Sequence, residues 1–299
     1  MTIHEPVLLR EVLLYLDPRP GQNFIDCTFG GGGHSLALLA KVRPGGQVIG
    51  IDLDEQALKR FGRKVPGLTL VHDNYKNIRK IILDKKNELG KLDKISGILL
   101  DLGLSSDQLG SGDRGFSFQA KEPLDLRFSQ VLQQVTAADI LRTASEQELA
   151  DIFKNYGEEQ LARPIAKKII AHRVVDNHAF DSSTLAELIA DIYKRFYKRP
   201  SKKHPATKVF QALRIAVNNE YGNIRSGLTS SAELLSPGGR LAVISFHSGE
   251  DRIAKNFFRD QAKLGRLKII TKKPLEASAE EIEKNPRSRS AKLRVAERI

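Results

Sequence analysis

The chain has 299 residues, 40% of them hydrophobic, a single cysteine and a formal net charge of +12. That length can bury a substantial core in one large or two modest domains, and one cysteine, Cys27, excludes an internal disulfide or a cysteine-built zinc site. No apolar run approaches the ~20 residues of a membrane helix, and Glu5 and Glu11 interrupt the N-terminal apolar stretch, so a cytoplasmic protein is expected, with an excess of cations that favours a polyanionic partner.

The first hundred residues alternate short apolar runs with helix-like segments. Asn23–Cys27 reads as a strand, followed by Gly30–Gly33 and a helix over Ser35–Val42 that Pro44-Gly45-Gly46 breaks. Gln47–Asp52 is a second strand, and Glu55–Lys64 a helix stopped by Pro66-Gly67. Leu68–His72 is a third strand, Asn74–Leu89 a third helix, and Ile95–Asp101 a fourth strand. Repeated β-α-β units with nearly continuous apolar strands predict a parallel sheet covered on both faces.

The next strand pattern, Arg240–Phe246, comes far later than one crossover requires. A single helix over about Lys208–Leu235 serves as the crossover, and the stretch from about Gly110 to Ala206 is expected to be an inserted helical domain. Within it, Ser145 with Glu148 and Thr184 with Glu187 match the capping-box pattern of helix starts. Pro164 marks a helix start or a kink. After Phe246 come a helix over Glu250–Ala262, two strands at Leu267–Thr271 and Lys292–Glu297, and between these a charged surface loop, Glu276–Arg289.

Chemistry concentrates at the ends of the strands, where open parallel sheets bind their ligands. The glycine run lets backbone N–H groups approach a ligand, but Ser35 stands where the dinucleotide fingerprint needs its third glycine, which argues against a nicotinamide enzyme. Asp26, just before the loop, suits a cationic amino-acid-like ligand, as S-adenosylmethionine is. Asp52 ends the second strand, where a carboxylate can accept both ribose hydroxyls. Tyr75 either packs on adenine or is a core aromatic, and His34 is either a ligand contact or a helix-start residue. Beyond the fourth strand, Asp101, Ser105 and Ser106 can hold an acceptor amine and aim its lone pair, which is catalysis by orientation and electrostatics. His247-Ser248 is a second polar candidate on the same rim. No Ser/His/Asp order or metal-ligand spacing competes, and no metal is expected.

From Lys194 to Lys208 the chain holds seven Lys or Arg residues and no acid, with Phe196 and Tyr197 among them. Lys194, Arg195, Lys198, Arg199, Lys202 and Lys203 are the expected phosphate contacts, with the rings available to stack on unpaired bases. An acceptor base would then be single-stranded or flipped out of its stack.

The ordered blocks His4-x-Pro6-Val7-Leu8-Leu9, Asp26-x-Thr28-Phe29-Gly30 through Ser35, Asp101-Leu102-Gly103-x-Ser105-Ser106-x-Gln108-Leu109, Arg114 to Phe118, His204-Pro205-Ala206-Thr207 and Ile244 to Ser248 resemble the bacterial 16S ribosomal RNA cytosine-N4 methyltransferase family along the whole chain. The resemblance implies a Rossmann-like S-adenosylmethionine-dependent methyltransferase sheet, residues 1–109 and 207–299, interrupted by a helical substrate-recognition domain, residues 110–206. It implies methylation of the exocyclic N4 of one cytosine in the decoding region of 16S rRNA, with free rRNA or the small ribosomal subunit as partner. Carried over by position, the implied cofactor contacts are Gly32, Gly33, His34, Asp52, Tyr75, Asp101 and Gln108. The alternative is a methyltransferase acting on another nucleic-acid amine, such as one in DNA. One departure is Gly249, where the family usually has leucine.

Overall fold

The computed structural model describes residues 6–89, 94–104, 114–117, 121–175, 180–197 and 204–299. The chain divides into two compact units, one of Met1–Ser105 with Tyr221–Ile299, the other of Ser106–Glu220.

The first unit is an α/β sandwich. Helix α1 (Leu9–Leu16) precedes β1 (Asn23–Asp26), α2 (Gly33–Val42), β2 (Gln47–Asp52), α3 (Glu55–Phe61), β3 (Leu68–His72), α4 (Ile78–Leu89) and β4 (Ile95–Asp101). After the second unit the order resumes with α10 (Glu220–Leu234), β5 (Leu235–Ser245), α11 (Ser248–Lys263), β6 (Leu267–Ile269), β7 (Leu275–Glu276), α12 (Ala279–Lys284) and β8 (Lys292–Arg298). The strands form one sheet in the order β3-β2-β1-β4-β5-β8-β6, with β7 also paired to β8. Neighbours from β3 to β5 run parallel, and β8 is antiparallel to β5, β6 and β7. The order turns between β1 and β4, which makes their carboxyl ends the topological switch point where such sheets take ligands.

Alternation along each strand builds two cores. Ile25, Ile49, Ile51, Ile98, Leu100 and Val243 face one side, under α4, α10 and α11. Phe24, Val48, Leu99, Ala242 and Ile244 face the other, under α1 and α2. Each Val, Leu, Ile or Phe among them, fully buried, contributes roughly 1.5–3 kcal/mol relative to exposure. Both faces are apolar because both are covered, as the continuous runs required.

The segment Glu276–Arg289 departs from the loop expectation. Ser278 caps α12 by accepting from the Glu281 N–H at 3.1 Å, and a 3-10 turn follows over Pro286–Ser290.

The second unit is helical: α5 (Ala137–Thr143), α6 (Glu146–Gly157), α7 (Ala162–Val175), α8 (Ser182–Phe196) and α9 (Thr207–Asn218). Ser145 forms the expected capping box with Glu148. Pro164 stands in the first turn of α7, where a missing N–H costs nothing. Thr184 is not a cap: Asp181 takes that place and accepts from the Thr184 N–H at 2.8 Å, because its carboxylate reaches the third amide of a helix that starts at Ser182.

The expected single helix over Lys208–Leu235 is two helices. Asn219 stops α9 in the left-handed region at φ 47°. The Asn218 carboxamide accepts from the Phe128 N–H at 2.8 Å and donates to the Leu126 carbonyl at 2.8 Å. The Arg214 guanidinium grips Glu220 through two bonds of 2.8 and 3.0 Å. These fixed partners hold the corner, and asparagine tolerates the left-handed turn better than most residues.

Candidate active site

The glycine loop is shaped by what surrounds it. After β1 the Phe29 N–H donates to the Ile51 carbonyl at 2.9 Å, and the Gly32 N–H turns back to the Phe29 carbonyl at 2.7 Å. Gly32 has φ 80°, and a Cβ there would lie 2.7 Å from the Phe29 ring, which itself meets Phe61 edge-on at 5.0 Å. At Gly33 a Cβ would lie 2.5 Å from the Pro6 ring. Gly31 borders open space. The loop is therefore closed behind Gly32 and Gly33 and open in front of Gly31.

Two carboxylates hold this loop from the ends of β1 and β2. Asp26 is wholly buried, accepts from the Ser35 hydroxyl at 2.7 Å and from the Thr28 N–H at 3.2 Å, and so has no surface left for the cationic ligand that its position suggested. Burial raises its pKa, against the lowering pull of His34, Ser35 and Thr28. Asp52 accepts from the Gly30 N–H at 2.6 Å and the Asp54 N–H at 2.8 Å, yet part of it stays accessible. Burial of most of its surroundings raises its pKa to about 6, while the two amides pull the other way. Asp52 is the partly exposed one of the two carboxylates and so the one that a diol could approach.

His34 and Asp101 come together from α2 and β4. The His34 Nε2 lies 3.5 Å from Asp101 Oδ2, near enough for an ion pair but not aligned as a hydrogen bond. Neither His34 ring nitrogen nor Asp101 Oδ1, all buried, has a hydrogen-bond partner among the described residues. Burial works against a charged His34, but Asp101, Asp26 and Glu281 outweigh it and raise its pKa. Buried polar atoms without partners are rare in folded chains, and their gathering at one strand rim is the mark of a place that takes a polar ligand. The Thr28 hydroxyl accepts from the Asp101 N–H at 2.7 Å and ties that rim to the glycine loop.

Tyr75 opens a 3-10 turn after β3, with Asn74 capping it at 3.0 Å. Its ring is partly buried and stands over Gly227 of α10, where a Cβ would lie 2.6 Å from it. Ser105, Ser106 and Gln108 lie outside the described residues, as do Lys198, Arg199, Lys202 and Lys203. In the second unit Lys194 pairs with Asp191 at 3.2 Å, and Arg195 is exposed beside it. Phe196 and Tyr197 are exposed by 58% and 41%, unusual for rings on a helix end and suited to stacking.

At the end of β5 the Phe246 and His247 N–H groups donate to the buried Glu250 carboxylate at 2.8 and 3.3 Å, and His247 Nε2 lies 3.3 Å from its other oxygen. Sequence reading singled out His247 and missed Glu250. Its spacing three residues into a helix was the available signal, since an acid there reaches back to the cap. The departure at Gly249 also has a cause, because a Cβ there would collide with the Tyr221 hydroxyl.

A family model described as the MraW methylase family matches residues 1–299. "Ribosomal RNA small subunit methyltransferase H" of Thermomicrobium roseum is 46% identical, over 100% of this chain and 94% of that protein. The proteins of the same name from Heliobacterium modesticaldum and Syntrophotalea carbinolica are each 44% identical, over 99% of this chain and 98% of theirs.

Proposed function

The chain belongs to the MraW methylase family, and from that premise we propose that it methylates small-subunit ribosomal RNA with S-adenosylmethionine, at the exocyclic N4 of a cytosine in the 16S decoding region. One observation carries the reading: similarity at 44–46% identity runs the full length of chain and relatives, so the sheet and the helical unit are both shared. The N4 position rests on the finer resemblance of the motif blocks.

The residues fit the cofactor. The loop, open in front of Gly31, would present the Gly32 and Gly33 backbone to it, Asp52 would accept the ribose hydroxyls, and Tyr75 would lie along the adenine. His34, whose buried ring nitrogens have no hydrogen-bond partner among the described residues, would meet a polar end of the ligand, and Gln108 completes the set. When bound, S-adenosylmethionine supplies a methyl group made electrophilic by the sulfonium.

An exocyclic amine is a poor nucleophile because its lone pair is delocalised into the ring. Asp101, Ser105 and Ser106 are the groups assigned to accept its N–H hydrogens and turn that lone pair towards the methyl group, and Asp101 also borders the cofactor. This is work by position and charge. Lys194, Arg195, Lys198, Arg199, Lys202 and Lys203 would hold phosphates, with the target base unstacked. The division of labour assigns residues 1–109 and 207–299 to chemistry and residues 110–206 to substrate recognition. No helix among the described residues is long and apolar enough to cross a membrane, and a cytoplasmic place accords with an RNA substrate.

The test is transfer of labelled methyl from S-adenosylmethionine to small subunits that lack the modification. Label on cytosine N4 is expected. Label on naked duplex DNA in preference to subunits would favour the other nucleic-acid amine instead.

A further inference from the structure

The wall behind the glycine loop comes from the far N-terminal side. The Pro6 ring occupies the space beside Gly33 that a side chain would fill. Two residues on, Leu8 is fully buried and takes the left-handed conformation at φ 54°, which leucine adopts only when its surroundings enforce it. As the residue before the first turn of α1, Leu8 has an N–H with no partner in its own helix. That N–H donates to Glu281 Oε1 at 2.7 Å, from a residue 273 positions away in sequence.

Glu281 is itself fixed, because Ser278 accepts from its N–H at the start of α12. Its carboxylate also counts, after Asp101 and Asp26, among the charges that raise the pKa of His34. One side chain thus joins three things: the left-handed corner at Leu8, the Pro6 ring over Gly33, and the field at His34. A cap for α1 alone would explain only the first.

We propose that Glu281 is a positioning residue for cofactor binding, latching the Pro6–Leu8 strap against Gly33 so that the glycine loop and His34 keep the shape that accepts S-adenosylmethionine. The proposal rests on the reading of that loop as the cofactor site. Glu281 touches no reacting group and acts through the strap. Its loss therefore weakens cofactor binding and leaves the reaction of the filled site alone.

The experiment uses the full chain and S-adenosylhomocysteine as the probe, with calorimetry for Kd and stopped flow for release. Glu281→Ala is expected to raise Kd about three- to tenfold, the loss of one hydrogen bond, through faster release. With saturating cofactor kcat stays within about twofold, as expected when only binding is lost. Glu281→Gln keeps an oxygen acceptor and recovers most of the affinity, while Glu280→Ala next door, which loses an exposed pair with Lys284, matches the parent chain. Hydrogen exchange at the Leu8 amide speeds up in Glu281→Ala with or without ligand. An unchanged Kd in Glu281→Ala, whatever its Tm, overturns the latch, as does a Glu281→Gln variant no tighter than Glu281→Ala. Should Glu281→Ala not fold, Glu281→Asp, whose carboxylate stops one methylene short, gives the same comparison. If the parent chain itself does not bind the probe, the cofactor reading falls first and takes the proposal with it.

Discussion

Asp26 and Asp52 end adjacent parallel strands of the same sheet, paired along their length, and each points into the same loop. Asp26 gives both oxygens to Ser35 and Thr28 and shows no surface. Asp52 gives its oxygens to two backbone amides, and the residue is only partly buried. Identical chemistry at equivalent places has been split between construction and recognition, and the deciding factor is a serine. Ser35 stands in the first turn of α2, where a third glycine would have left one Asp26 oxygen without its hydroxyl partner.

The largest effect that would sharpen this contrast is on stability. Asp26→Ala strands a buried hydroxyl and an amide, and it should cost about 2–4 kcal/mol. A fall of roughly 3–6 °C in Tm, read by calorimetry, is expected for a chain of this size. A fall no larger than that of Asp52→Asn would break the distinction. Asp52→Asn should instead lower cofactor affinity roughly ten- to a hundredfold, since hydrogen bonds to a charged acceptor are the stronger kind, with Tm within a few degrees of the parent.

A finer effect is pH dependence. The carboxylate of Asp52 has a pKa of about 6 in the folded chain against an ordinary 3.8. The neutral form is the one that folding favours, so its contribution to stability is full below 3.8 and is lost as pH rises through about 6. Binding of a diol needs the charged form. Between pH 4 and 6 this group should therefore make the protein less stable and the cofactor tighter as pH rises, and Asp52→Asn should abolish the affinity trend in calorimetric titrations.

The smallest effect concerns His34. Its pKa is raised, so the stabilisation it draws from Asp101 and Asp26 is full below 6.5 and fades as pH rises through the folded value. His34→Gln should lose more stability, on the order of 1 kcal/mol, at pH 6 than at pH 8, as denaturant melts would show.

The parallel strands were legible because each is a short apolar run, and the carboxylates that end β1, β2 and β4 followed from the sheet rule. What escaped reading depends on distant partners. The break at Asn219 is hidden because the helical pattern runs on through it, and partners distant in sequence, such as Leu126 and Phe128 bonded to Asn218, help to hold the corner. Asp181 displaced Thr184 as a cap because both fit the local pattern and the choice was made by which amide each could reach. Glu281 looked like one more charge in a polar stretch, since nothing local points to Leu8.

The strand order also sets a timetable for synthesis. The apolar edge of β4 can be covered only by β5, which begins about 130 residues later, and at 5–20 residues per second the nascent sheet stands open for roughly 7–25 s. Meanwhile the ribosome makes the whole of the second unit. An unpaired edge is a template for other chains, so this interval is when the nascent chain is most open to aggregation.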